Sequence, residues 1–453
     1  MYARALLRRF PVLKFRDFRL LLADRLLAPA AFAFSLVGVS FAVLDATGST
    51  AQLSYVLAAQ IAPSLIFTVV GGVVADRMPP QRVIVAANAM IALGEGTFGL
   101  LVIAGHPRLW QMIALEMVTG TGMAIFYPAS QALLPRLVPG GLLQQASAVS
   151  RLVMNGGQMG GAVAAGFFVA ALGPGWALVI CGAGLLSTIP LMLSIRVTGF
   201  GYQESSGMFR DLRDGWSEFR SHTWLWAIVA QFGVILMAWY GAFQVLGPVV
   251  ARAHLGGPAA WGAITAAESV GLIVGGLVSL RFTPHRPILF VAGIGAAIAI
   301  SPLSLAMLWP LPVVCVASFG LGITMEIMMV QWTVTMATRI PPDKLARVSS
   351  YDALGSVMAM PVGALVAGPI AAAIGVPAAQ YGAAALIVVA TALALIPRDV
   401  RRMRANPVGL PHRGLASAEL AGAGLAGGQL AGRELAGQAT SSASPVNVAH
   451  ISA

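Results

Sequence analysis

The chain has 453 residues, of which 58% are hydrophobic and 10% charged, and its mean hydropathy is +0.82. Soluble domains carry about 25% charged residues, so a water-soluble fold is excluded and the chain reads as a large integral membrane protein. The net charge of +11 does not point to nucleic acid, because the basic residues are scattered over short loops and the two ends and not gathered on one polar face.

Arg4, Arg8, Arg9, Lys14, Arg16 and Arg19 precede a full-length apolar run with no cleavable signal, so the start is expected to remain as a cytoplasmic arm. A membrane helix needs about 20 apolar residues. Twelve spans are predicted, at 18–45, 51–74, 83–104, 108–133, 143–171, 175–196, 223–250, 258–280, 287–308, 311–335, 345–373 and 377–397. Basic residues crowd alternate connections: Arg77 and Arg82; Arg136; Arg196, Arg210, Arg213 and Arg220; Arg281 and Arg286; Arg339, Lys344 and Arg347; and Arg398 to Arg404. Only Arg108 and Arg252 stand on the other side. The positive-inside rule then puts both termini in the cytoplasm.

Between spans two and three the sequence reads Gly71-Gly72-Val73-Val74-Ala75-Asp76-Arg77-Met78-Pro79-Pro80-Gln81-Arg82. Its charges and prolines predict a short, tight, charged turn. Gly275, Gly276, Arg281, Pro284 and Arg286 repeat Gly71, Gly72, Arg77, Pro80 and Arg82 at an offset of 275 − 71 = 204, with Leu280 in place of Asp76. An internal repeat of that period predicts two homologous bundles. Gly72, Asp76, Arg77 and Arg82 resemble the signature loop of the major facilitator superfamily of transporters.

That resemblance implies an all-α fold of twelve membrane helices in two pseudo-symmetric six-helix bundles. The bundles would be 1–196 and 223–397, joined by a cytoplasmic linker at 197–222 and followed by a cytoplasmic tail at 398–453. The approach to span five, Phe126 to Pro139 with Ala146-Ser147-Ala148, is similar to the branch that includes bacterial siderophore exporters and macrolide-type efflux proteins. Its echo is Ile340 to Ser349. In that family the acid at Asp76 contacts the cytoplasmic start of span eleven, so the loop is expected to latch the halves, with Arg77 and Arg82 holding headgroups or loop acids.

An ionisable group within a span costs at least about 2.5–3.5 kcal/mol, so each needs a reason. Asp24-Arg25 are adjacent in span one and point about 100° apart. One is expected to face the cavity and the other to snorkel, with Asp24 a second coupling acid. Glu95 lies in span three, peripheral by resemblance, and is read as lipid-shielded packing; Glu116 is placed near the outer surface. By resemblance, spans five and eight face each other across the cavity, so Arg151 and Glu268 are expected to form an ion pair between the halves. The alternative is that each is satisfied in its own half, by groups such as Gln158 or Ser269. Glu326, in the cavity-lining span ten beside Gln331 and Trp332, is the leading proton-coupling or cation-binding carboxylate. Asp352 is expected to face span two and the signature loop.

Gly156-Gly157, Gly160-Gly161 and Gly166 in span five read either as close packing or as a degenerate form of the Gly-Pro motif of exporters in this family. Pro361 and Pro369 predict a bent span eleven. Phe209, Leu212, Trp216 and Phe219 recur at helical spacing and predict an amphipathic interfacial helix in the linker. Residues 414–438 repeat every five residues and, with 439–453, are expected to be disordered. Phe126, Tyr127, Trp239, Tyr240 and Trp332 could line a cavity or fill the core. Cys181 and Cys315 sit singly in apolar runs, the six histidines fall in loops or tail, and no nucleotide-binding or nucleophile–base pattern occurs. No metal, cofactor or enzymatic activity is expected.

The expected protein is a monomeric, multi-pass cell-membrane transporter working by alternating access. Its expected partners are protons, the lipid bilayer and a small amphiphilic, drug-like or siderophore-like substrate, which it exports. Uptake or facilitated diffusion, and a transporter-like sensor, are the alternatives.

Overall fold

The computed structural model describes residues 11–105, 107–195, 216–217, 219–282 and 284–341, most of 344–403 with gaps before 358, and not the side chains of 64–77, Tyr127 and Gln144. The unit formed by Met1–Arg404 holds every described residue; 405–453, with the pentapeptide-like repeats, lies outside them. The described chain is helical, without strands. In order the long helices are α1 Arg16–Thr47, α2 Thr50–Arg77, α3 Pro80–Ile103, α4 Leu109–Leu137, α5 Leu143–Leu172 and α6 Pro174–Leu193. Then follow α7 Thr223–Leu255, α8 Pro258–Ser279, α9 Pro287–Ala306, α10 Leu311–Arg339, α11 Met360–Ile374 and α12 Val376–Ala394. Ten of these are long and apolar enough to cross a membrane; the other two are α2, whose side chains are partly undescribed, and the shorter α11.

Most connections within each set of six helices are short, so successive helices run up and down. The face carrying the start of α1 is called here the near face, and the opposite one the far face. Glycine and proline set the turns. Gly48 ends α1 with φ 63°, its N–H donating to Leu44 O. Gly173 and Gly375, 202 residues apart, each form a one-residue connection with φ 89°. Each donates its N–H to the carbonyl four residues back, and proline follows at position 174 or 377. The two halves thus share a backbone turn at close to the 204-residue offset of the repeated Gly-Gly loops.

The turn expected over 71–82 is shorter than its charges implied. Residues through Arg77 continue α2, and α3 restarts at Pro80, leaving Met78-Pro79 as the break. Proline without an N–H is tolerated at a helix start, so one dipeptide suffices. Span eleven, by contrast, is not continuous over 345–373. Met358 and Ala359 form a turn and α11 begins at Met360-Pro361. Pro361 cannot donate to the preceding turn and its ring clashes with it. α7 contains two π-helical stretches, Tyr240–Val245 and Ala251–Leu255, and α9 tightens to a 3-10 stretch at Gly295–Ala299.

Small residues bring backbones together. Gly157 and Gly161 of α5 lie against the Leu26 and Ala30 carbonyls of α1, where no side chain fits, whereas Gly156 and Gly160 face open space. The glycines of span five therefore act as a packing surface. Between the halves, Gly166 of α5 meets Gly262 of α8, and Gly368 of α11 meets Thr50, Ala51 and Ser54 of α2. The Gly368 N–H donates to Ser54 Oγ at 2.6 Å. Arg252, near the end of α7, pairs with Asp45, near the end of α1, at 3.0 Å. All three contacts lie toward the far face, which is closed.

The predicted interfacial helix of the linker falls mostly outside the described residues. Within its described part, Trp216 and Phe219 stack at 5.8 Å and both pack on Tyr351, at 5.5 and 5.9 Å. The beginning of the expected tail is ordered: Arg398–Arg402 form a short helix, α13, with Val400 buried.

Candidate transport site

α5, α8 and α10 carry the central charges. Arg151, in the first third of α5, donates from Nη1 to Glu326 Oε1 at 3.0 Å. Glu326 stands at the middle of α10, so this ion pair spans the two halves. The Arg151 side chain is 61% exposed and that of Glu326 14%; an exposed guanidinium reaches a mostly covered acid. Glu326 fits because Gly275 and Gly276 of α8 leave room: a methyl on Gly275 would meet Glu326 Cβ at 3.1 Å, and one on Gly276 would lie 3.8 Å from Oε1. The second copy of the repeated Gly-Gly pair therefore makes the berth for this carboxylate.

The ion pair expected between the halves exists with a different acid. Glu268 is half-buried and makes no hydrogen bond or ion pair to another described residue. Its backbone lies against Gly322 of α10, and a turn further on α10 sends Glu326 past α8 toward Arg151. Span eight does face Arg151, but close α8–α10 packing brings Glu326, and not Glu268, to the guanidinium.

Asp24 and Arg25 depart from expectation together, since neither snorkels. Both are buried, at 1% and 8% exposure. Arg25 donates to Ser130 O on α4 and Met154 Sδ on α5, both at 3.0 Å. Asp24 lies beside Asn88 of α3 and Thr188 of α6, and Asn88 Nδ2 donates to Thr188 Oγ1 at 2.8 Å. The 100° divergence is real, but it sends both side chains into the N-terminal bundle. Trp332 is likewise interior: its Nε1–H donates to Asp352 Oδ2 at 3.0 Å, and its ring packs edge-on against Trp224 and Phe232. Asp352 thus bonds α10 within its own half; the span-two side chains expected to face it, 64–77, lie outside the described residues. Of the signature loop, Arg82 is exposed, while the side chains of Gly72, Asp76 and Arg77 lie outside the described residues. Trp239 stacks on Phe243 at 6.2 Å as part of the packing.

Two acids were undervalued. Glu95 and Glu116 are 0% exposed. Ser35 Oγ donates to Glu95 Oε1 and Gln60 Nε2 to Glu116 Oε2, each at 2.7 Å. The signal was available: Ser35, Gln60 and Thr119 are polar residues in otherwise apolar runs, at levels matching the two acids.

Two sets of six helices thus meet at the far face, with an ion pair of opposite charges joining them. The sequence profile of the Major Facilitator Superfamily matches residues 26–351, and the chain belongs to that family. It is a multi-pass membrane transporter. It is 27% identical over 349 residues to the enterobactin exporter EntS of Escherichia coli O1:K1 / APEC, covering 75% of this chain and 81% of that protein. The fold is that of a bacterial homolog of the human lysosomal transporter Spinster, solved inward-facing and unoccupied, with TM-score 0.66 and 19% identity over 86% of this chain and 99% of that one. It is also that of the nucleoside transporter NupG, with TM-score 0.69 and 12% identity over 86% and 100%.

Proposed function

We propose that this chain exports a small amphiphilic, drug-like or siderophore-like compound in exchange for protons, with the near face in the cytoplasm and both termini on that side. The observation carrying this reading is the Arg151–Glu326 ion pair, which joins the halves through an exposed guanidinium while the far face is closed. A cargo with an acidic group competes for Arg151, and one with a cationic group competes for Glu326. Either parts the halves on the near side only by offering better contacts than the pair it breaks. Protonation of Glu326 does the same. The exporter named among its relatives supports the direction, and the excess of basic residues in near-face connections supports the orientation. Residues 1–196 and 223–397 are the two moving bodies, 197–222 the tether and 398–453 the tail.

Within this reading Asp24, Arg25 and Trp332 hold their bundles in shape, Glu268 is the free acid on the cavity side, and Asp76 with Arg77 and Arg82 latches the near face when the far face opens. The test is a pH-jump flux assay in proteoliposomes with labelled candidate cargos. Cargo efflux should follow an inward proton gradient and collapse in Glu326→Gln. Flux indifferent to the gradient in the unaltered protein would assign it to facilitated diffusion.

A further inference from the structure

Glu95 and Glu116 face each other across the α3–α4 hairpin. One lies eight residues before Ile103 and the other seven after Leu109, so both stand roughly 10–12 Å in from the far-face turn. Each acid accepts one hydrogen bond from a neutral side chain. Glu116 Oε1 has no hydrogen-bond partner among the described residues, and the Thr119 hydroxyl, 0% exposed and one turn beyond Glu116, lies beside Glu95. Among the described residues the surrounding elements contribute no cation: α1 offers Ser35, α2 Gln60, α6 Cys181 and α7 Tyr240. The nearest cationic residue on the hairpin itself, Arg108, is exposed at the turn.

Two carboxylates buried together without a countercharge cannot both stay ionised, since like charges in a poorly screened interior repel strongly. Tyr240 belongs to the other half. It sits in an apolar cluster with Val39, Leu53 and Met112, close enough to Glu116 to feel its charge. The closed far face therefore holds a residue of the other half near these acids.

We propose that Glu95 and Glu116 form a proton-binding site that holds one shared proton while the far face is closed. It exchanges that proton with far-side water when Tyr240 and α7 withdraw. This rests on the proton-coupled reading above and adds to it a site separate from Arg151–Glu326, one that cargo does not touch. Because the closed form binds the proton and the hydrated open form gives it up to water, acid favours the closed form by linkage.

The experiment uses the full-length protein in detergent, without cargo, carrying spin labels on α1 and α7 at the far face. It is paired with pH-difference infrared spectra of the protonated-carboxyl C=O stretch. The distance distribution of the unaltered protein should shift toward far-open as pH rises, and a carboxyl band should bleach with it. The double Glu95→Gln/Glu116→Gln variant should remove the band and flatten the pH response at least fivefold. A band and pH response surviving in the double variant would overturn the proposal. A band displaced by sodium at fixed pH would overturn it in favour of a cation site. Failure of proton-driven flux in the unaltered protein, with band and pH response intact, would sink the coupling reading alone. Elution of the double variant as a monodisperse, thermally cooperative protein separates loss of the site from loss of the fold.

Discussion

At the scale of single residues, the Arg151–Glu326 bridge is worth more to transport than to stability. An ion pair with so exposed an arginine contributes about 0–1 kcal/mol to folding. Arg151→Glu should therefore barely move the unfolding temperature while lowering flux by tenfold or more, because two acids then repel across the halves. Combining it with Glu326→Arg should restore a measurable part of the flux, read in the same vesicles. No recovery in a well-folded double variant would mean that the two residues act separately. Both residues were legible as charges needing a reason. Their pairing was not, because it depends on the room left by Gly275 and Gly276, and depth counted along one helix says nothing of what a neighbour projects past it. The burial of Glu95 is hidden from the sequence for the same kind of reason: a helix at the periphery of a bundle still turns one side inward, and that side holds this acid.

Elements are joined where side chains are missing, and the register of the missing side chains decides the outcome. Gly160→Ala faces open space and should stay within about 0.5 kcal/mol of the parent. Gly161→Ala drives a methyl into the Ala30 backbone and should cost about 1–3 kcal/mol, measured by thermal unfolding in detergent. Equal effects of the two would refute the assigned face. Gly368→Ala should act differently, since it strikes Ser54 and Thr50 of the other half. It is expected to loosen the far-face closure, raising the labelling rate of a cysteine placed at Ser54 severalfold without a matching loss of fold. The helices themselves were legible to within a few residues from apolar run lengths. The break in span eleven was legible only as a bend, since a proline announces a lost hydrogen bond but not whether neighbours bridge it. The turn between α2 and α3 was overdrawn, because charged residues can lie on a helix that runs on past the membrane core.

For the whole molecule, the repeat was the most informative line of the sequence. The 202-residue spacing between Gly173 and Gly375 reappears as two like turns, and that between Gly166 and Gly368 as two like crossings between halves. The sequence could not say which face is closed, because that is set by the sum of small contacts at two ends of one rocking body. If the halves rock, tethering Asp45 to Arg252 must stop the cycle. With Cys181 and Cys315 replaced by alanine, Asp45→Cys and Arg252→Cys joined by a short thiol-reactive bridge should abolish flux, and reductive cleavage of the bridge should return it. Undiminished flux in the bridged protein would rule out far-face separation as part of transport.

α7 carries slack. A π turn closes its hydrogen bonds over one residue more than an α turn, so Tyr240–Val245 holds a surplus residue that the rest of the rod does not need. Shortening the chain there, by removing Gln244, should let the stretch rewind as ordinary helix and still yield a monodisperse protein. The same excision at Ile235, in the regular part of the helix, would swivel everything beyond it by about 100° and spoil its seams. A stem that can take up or shed one residue's worth of winding can twist its far end without breaking, and this stem is the one that carries Tyr240.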